Sequence, residues 1–300
     1  MAPASDPTAS APYRGRFAPS PSGPLHHGSL FTALASYLDA RRAGGDWLLR
    51  IEDIDPPREV DGAAEAIQTC LDDHGLHPDT PPLFQSTRSA AYERALARLD
   101  ERGLLFRCRC TRRELGARGE CRGRCDAAAT DDACALRVRV SGRFEAYFDD
   151  LIQGPQSLRD NAVARDFVVR RKDGLYAYQL AVVVDEAHQG ITHIIRGIDL
   201  LPTTFQQRYL QTVLDLPRPL YGHVPVLIDA EGRKLSKQNH AAPVDSPDVV
   251  RTLRELLALL GQTVTASAGD DPAALLQRAA AGWQRDALRG HTALPWPQKR

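Results

Sequence analysis

The stretch Arg16-Phe17-Ala18-Pro19-Ser20-Pro21-Ser22-Gly23-Pro24-Leu25-His26-His27-Gly28-Ser29 decides the fold. It follows a short apolar segment and runs into Leu30, Leu34 and Leu38 at helical spacing, so its His-Gly pair falls where a strand turns into a helix. Such a junction offers unpaired backbone N–H groups and the positive end of a helix dipole, which suits a polyphosphate. Gly23 and Gly28 let backbone approach a ligand closely, and His26 and His27 can donate to phosphate oxygens. A second segment, Glu231-Gly232-Arg233-Lys234-Leu235-Ser236-Lys237, puts two lysines on a glycine-led loop. A cationic loop of this kind can close on the charge that develops as pyrophosphate departs. Taken singly, a His-His-Gly turn is ordinarily a helix start and a lysine-rich loop ordinarily a solvated one. Together they read as two halves of an adenylate-forming nucleotide site.

Outward from these segments the pattern alternates. Strand-like 15–18, helix 29–42, strand 47–51 and helix 59–74 make a first βαβα half. A Pro-rich stretch, 78–82, precedes a helix through Tyr92, Leu96 and Leu99, then a cysteine cluster and a β-rich stretch, 135–171. Strand 192–196, helix 204–214 and strand 224–228 restart the α/β pattern, and helices 249–260 and 272–283 follow. The expected fold is α/β, a Rossmann-like domain split by an α+β insertion, with a short helical C-terminal module. The expected divisions are a flexible tail rich in Ala, Pro and Ser (1–13), a first half (14–78), the insertion (79–188), a second half carrying the lysine loop (189–245) and the C-terminal module (246–300).

Four of the six cysteines fall together as Cys108-x-Cys110 and Cys121-x3-Cys125. Two close pairs joined by a short loop can wrap four thiolates around one zinc ion, and in a cytosolic chain this spacing favours metal over disulfide. Cys70 lies in a helix-like run with Ile67 and Leu71 and reads as core, whereas Cys134 is a substitute ligand at most. Arg102, Arg107, Arg109, Arg112, Arg113, Arg118, Arg122 and Arg124 crowd the same region, either to meet phosphates or as a solvated face.

Lys and Arg total 38 and Asp and Glu total 38, so the net charge is zero, unusual for a protein that grips a large nucleic acid. No run approaches the roughly 18 apolar residues of a membrane span, and the first residues lack a signal-peptide core. A cytoplasmic, monomeric enzyme without membrane contact is the expectation.

The paired motifs His26-His27-Gly28-Ser29 and Lys234-Leu235-Ser236-Lys237 resemble the two signatures of class I aminoacyl-tRNA synthetases, in the same order. The string 16–23, the segment Leu49-Arg50-Ile51-Glu52-Asp53-Ile54-Asp55-Pro56-Pro57-Arg58 and Ile194-Ile195-Arg196-Gly197 resemble the glutamyl branch. Ala18 and Ser20 stand where the glutaminyl branch typically has Pro and Glu. The resemblance implies a glutamate pocket of Arg16, Phe17, Ala18, Pro19, Ser20, Glu52, Tyr178 and Arg196, with Arg16 on the side-chain carboxylate and Glu52 receiving the ammonium. It implies ATP held with Mg²⁺ by His26, Gly28, Lys234, Ser236 and Lys237, with His26, His27 and Lys237 catalytic. Without the resemblance Tyr178 reads as a core aromatic, Arg196 as a strand-end charge and Glu52 as a surface acid.

The chain ends at Arg300, too soon after Lys237 for a large anticodon-reading region. The expectation is therefore closest to the truncated branch of the family, which moves activated glutamate to the queuosine base of tRNA(Asp). In that branch a Tyr often stands at the position of Cys121, a change that leaves a zinc site intact. Three rivals share parts of the pattern: a compact glutamyl-tRNA synthetase charging the 3′ end, another adenylyl or nucleotidyl transferase, and a non-catalytic zinc-containing RNA-binding protein.

Overall fold

In the computed structural model the described residues are 12–116, 121, 125, 134–140, 144–158, 165–239, 242–244, 248–262 and 271–297, with Arg112 and Gln238 described in backbone alone. Most of the 1–13 tail, and Arg118, Arg122 and Arg124, lie outside them.

Strand β1 (Arg14–Phe17) leads through the 18–26 loop into helix α1 (His27–Arg42), and β2 (Asp46–Ile51) returns parallel to β1 with Arg16 opposite Leu48. Helix α2 (Ala63–Asp73) and the two-residue β3 (Leu83–Phe84), parallel to β2, complete the first run. The helix expected from residue 59 begins only at Ala63. Pro56–Arg58 forms a 3₁₀ turn, and Gly62 at φ 74° takes a left-handed conformation that starts the helix.

Helix α3 (Ser89–Glu101) is followed by an antiparallel sheet of β4 (Leu105–Cys108), β5 (Ala135–Val138) and β8 (Phe167–Arg170), with α4 (Arg112–Leu115) beside the cysteines. A separate hairpin pairs β6 (Tyr147–Asp150) with β7 (Gly154–Ser157). Helix α5 (Tyr178–Gln189) is absent from the sequence expectation. Its run of Leu180, Ala181, Val182 and Val183 is buried on more than one face, so it carries no polar stripe to betray a helix.

Strand β9 (His193–Gly197) is followed by α6 (Leu201–Val213), and β10 (Leu220–Val224) pairs parallel to β9. The amide of Thr192 donates to the Arg14 carbonyl at 2.9 Å, so β9 lies against β1. Two sheets, β3-β2-β1 and β9-β10, thus abut with β1 beside β9, and a cavity opens beyond the ends of these two strands. The single strand expected over 224–228 is two, because Pro225 interrupts it: β11 (Val226–Ile228) pairs instead with β12 (Ala293–Pro295). The C-terminal segment, expected as helical, thus adds this strand to α7 (Val249–Leu259) and α8 (Pro272–Gly282). No helix among the described residues is long and apolar enough to cross a membrane.

Helix α1 is buried nearly all round, with Leu30, Phe31, Leu34 and Leu38 inaccessible, because β1, β2 and β9 cover one side and α7 and α8 the other. Its buried Asp39 accepts from Trp283 Nε1 (2.8 Å), Arg285 Nε (2.6 Å) and the Tyr13 hydroxyl, joining α1 to the C-terminal segment. Replacing Asp39 by Ala strands these donors and should lower unfolding free energy by about 3 kcal/mol in a urea titration. A change below about 1 kcal/mol would show that solvent satisfies them.

Candidate functional site

Beyond the ends of β1 and β9, one cavity is lined by Arg16, Phe17, Ala18, Pro19, Ser20, Tyr178 and Arg196 on one side and by His26, Gly28, Lys234 and Lys237 on the other. Two segments far apart in sequence therefore face each other across it. Glu52 and Ser236 do not line it. Glu52 faces an adjoining cavity that shares Ser20 and Tyr178 with the first and is rimmed by Arg58, Arg171 and Lys172.

His26 caps α1: its backbone is extended and its Nδ1 accepts from the Ser29 amide at 3.2 Å. Burial, then the nearby lysines, push this imidazole down to about 4, so it is neutral near pH 7. Gly28 leaves room here: a Cβ would lie 3.1 Å from the His26 ring and 3.4 Å from the Leu235 carbonyl oxygen, tight enough that these neighbours would have to shift by a few tenths of an ångström. His27 does not line the cavity. Its ring stacks on Trp296, centroids 4.3 Å apart, and so packs the C-terminal segment on the helix start.

The lysine loop is docked. Lys237 Nζ donates to the carbonyls of Ser20 (3.1 Å) and Gly23 (2.6 Å), and Lys234 pairs with Asp199 at 2.6 Å. Gly23, at φ 127°, takes a backbone conformation that other residues rarely adopt, which turns its carbonyl toward Lys237. Burial pushes the Lys237 ammonium down to about 8.

Beneath the Arg16 side of the cavity lies a buried group of two cations and two anions. Arg16 pairs with Glu186 (3.0 Å), and Arg50 pairs with Glu52 (3.4 Å) and Glu186 (3.7 Å). Burial raises the Glu52 carboxyl above its ordinary range despite the pull of Arg50 and Arg16. Arg16 lines the cavity, and its buried Nε has no hydrogen-bond partner among the described residues. Arg196 is held differently, by His223 Nε2 (3.1 Å), Thr204 Oγ1 (2.7 Å), the Leu200 carbonyl (3.3 Å) and the Tyr178 hydroxyl (3.4 Å). Sequence reasoning missed Glu186, His223 and Asp150. Adjacent acids, Asp185 and Glu186, in the apolar run 180–187 were the available signal, because buried acids require partners.

Cys108, Cys110, Cys121 and Cys125 bring their sulfurs within 4.8 Å of one another. Cys110 lies 3.7 Å from Cys121 and 3.6 Å from Cys125, close to the about 3.8 Å edge of a tetrahedron with 2.3 Å metal–sulfur bonds. The Arg109 amide donates to Cys125 Sγ at 3.4 Å and heads the causes that lower this thiol to about 7, whereas burial raises Cys110 and Cys121, so it is the spacing of the four sulfurs that suits a thiolate-binding ion. Cys134, buried before β5, is not part of the group, and Cys70 is half-buried elsewhere.

With a capped His-Gly helix start opposed to a lysine loop across one cavity, the chain has the class of a tRNA synthetase catalytic domain: residues 13–267 match the family model "tRNA synthetases class I (E and Q), catalytic domain". The chain belongs to this family. It is 50% identical over 276 residues to the glutamyl-Q tRNA(Asp) synthetase of Burkholderia cenocepacia, covering 87% of this chain and 91% of that one. It is also 50% identical over 270 residues to the protein of that name from Xanthomonas campestris, covering 90% and 88%. Among solved structures, the glutamate tRNA ligase of Elizabethkingia meningosepticum superposes with a TM-score of 0.76 at 26% identity, covering 96% of this chain and 67% of that one.

Replacement of Cys110 by Ser should abolish stoichiometric metal in the purified protein, read by elemental analysis, and expose β4 and β5 to protease. Full metal content in that variant would show that the cluster is not the ligand set.

Proposed function

We propose that the chain activates L-glutamate with ATP, without tRNA, and transfers the glutamyl group to the queuosine base in the anticodon loop of tRNA(Asp). One observation carries the reading: the glutamate-type and nucleotide-type residues face each other across one cavity, in a chain half identical over most of its length to the glutamyl-Q tRNA(Asp) synthetases. The strand order is read as a Rossmann-like domain with halves 14–78 and 189–245, split by the insertion 79–188 and followed by the module 246–300.

Activation needs the α-carboxylate of glutamate to attack the α-phosphorus of ATP in line, so the protein's task is to place two anions and stabilise departing pyrophosphate. Arg16 and Arg196 hold carboxylate. Tyr178 and the 17–20 backbone wall the pocket, and Glu52 takes the ammonium from the adjoining side. A cationic pocket rejects glutamine, which lacks the second negative charge. His26 and Gly28 receive ATP with Mg²⁺, and Lys234, Ser236 and Lys237 turn to its phosphates, exchanging carbonyls and Asp199 for anionic oxygens. His27 acts through the helix start it packs.

In the second step a queuosine hydroxyl oxygen bonds to the glutamyl carbonyl carbon, the bond to AMP breaks, and the proton passes to the AMP phosphate. The adjoining cavity, whose lining sets Arg58, Arg171 and Lys172 beside Asp55 and Asp173, is the route by which the RNA loop reaches this carbon, its arginines exchanging aspartates for phosphates. A structural zinc ion in the cysteine group would fix the neighbouring loop.

Radiolabelled glutamate should pass to tRNA(Asp) bearing queuosine and neither to tRNA(Asp) without it nor to tRNA(Glu). Label on tRNA(Glu) would favour 3′-end charging, and absence of glutamate-dependent pyrophosphate exchange would favour a non-catalytic RNA binder. Replacing Lys237 by Ala should slow exchange about 10²-fold or more. Because burial holds Lys237 near 8, raising pH through 8 neutralises it in the free protein. The KM for ATP should therefore rise above that pH, and a Lys237→Arg variant should lose this dependence.

A further inference from the structure

We propose that Asp150 and His223 are positioning residues for Arg196, forming a relay that fixes its guanidinium at the amino-acid pocket without neutralising its charge. This role rests on the reading of the cavity as a glutamate site, whereas the relay itself is a matter of geometry.

Arg196 on β9 and His223 on β10 are partners in the parallel ladder, which places their side chains together. Arg196 Nε donates to His223 Nε2 at 3.1 Å, so that ring nitrogen must be bare and the proton must sit on Nδ1. Nδ1 faces Asp150 Oδ2 at 2.5 Å. Asp150 is itself locked, its Oδ1 accepting from the amides of Ile152 (3.0 Å), Gln153 (2.8 Å) and His223 (3.1 Å). Both side chains are wholly buried. Burial pushes the imidazolium down to about 4 against the pull of Asp150. Burial also raises the Asp150 carboxyl, but its bond to His223 and the amides more than offset this and hold it below the ordinary range. Near pH 7 the relay is therefore carboxylate, neutral imidazole, guanidinium.

The contrast with Arg16 gives the arrangement its meaning. Arg16 contacts a carboxylate directly, so part of its field is cancelled by Glu186. Arg196 is held by a neutral imidazole, two hydroxyls and a carbonyl, over the Tyr221 ring at 5.0 Å. No carboxylate among the described residues lies within ion-pair distance of it, and it borders the cavity. A carboxylate at position 223 could hold the guanidinium equally well but would compete with an incoming carboxylate. Asp150 prevents the other failure: the opposite tautomer would set an N–H of His223 against an N–H of Arg196, as loss of the orienting acid does in catalytic triads.

Long-range ¹H–¹⁵N spectra of histidine-labelled, substrate-free protein should show His223 protonated at Nδ1 and bare at Nε2. A proton on Nε2 would overturn the relay whatever the activity. In glutamate-dependent pyrophosphate exchange, His223→Asn keeps a donor toward Asp150 but no acceptor for Arg196, and His223→Gln keeps the acceptor. KM for glutamate should rise about tenfold or more in His223→Asn and Asp150→Asn and under about threefold in His223→Gln, with KM for ATP unchanged. Equal effects in the Asn and Gln variants at position 223, or losses confined to kcat, would overturn the positioning role, and this pair decides even if Asp150→Asn fails to fold. Wild-type protein with the expected tautomer but no glutamate-dependent exchange would instead overturn the glutamate reading, and the role with it, while leaving the geometry in place.

Discussion

The balanced charge group of Arg16, Arg50, Glu52 and Glu186 is the constraint around which this molecule is organised. Each member is buried, so none could stand there charged without the others. The group draws on β1, β2, the loop after β2, and α5, which joins the chain's first run of strands to a helix that follows more than a hundred residues later. Buried ion groups of this kind add little net stability but fix geometry, because any displacement leaves a charge unpaired. The pocket floor inherits that rigidity, and Arg16 reaches the cavity edge with its position already determined.

Around this floor the cations are restrained in four chemically distinct ways. Arg16 meets a carboxylate, Arg196 meets neutral acceptors, Lys237 meets two backbone carbonyls and Lys234 meets the half-exposed Asp199. The strength with which each can act on an anion follows from its partner. Carbonyl dipoles exchange readily for phosphate oxygens, a surface ion pair is weak, and a buried Arg–Glu pair does not break. The lysine loop is thus seated by contacts that an incoming anion can replace, whereas the Arg16 side is built to stay.

Much of the site was legible before folding. Arg16, His26, Gly28, Tyr178, Arg196, Lys234 and Lys237 line one cavity as the motifs and the resemblance anticipated, and the four thiols cluster as their spacing implied. His27 was not legible in the same way, since adjacent residues at a helix start point in different directions and only the cap, His26, turns inward. Asp150 and His223 carry no motif. Their meaning depends on a hairpin edge and a parallel ladder meeting at one register, which no local pattern encodes.

What the sequence alone determined is what depends on short-range chemistry: the strand-to-helix turn at His26–Gly28, the cysteine spacing, the alternation of strands and helices, and the family to which the motifs point. What only the tertiary structure decided is which charges cancel and which remain. Helix α5 hid in an apolar run, Pro225 divided one expected strand into two, and β12 closed back onto β11 to bring Trp296 against His27. Charge compensation operates through space between residues remote in sequence, so Arg16 and Arg196, similar as letters at strand ends, become different instruments only when Glu186 and His223 are folded beside them.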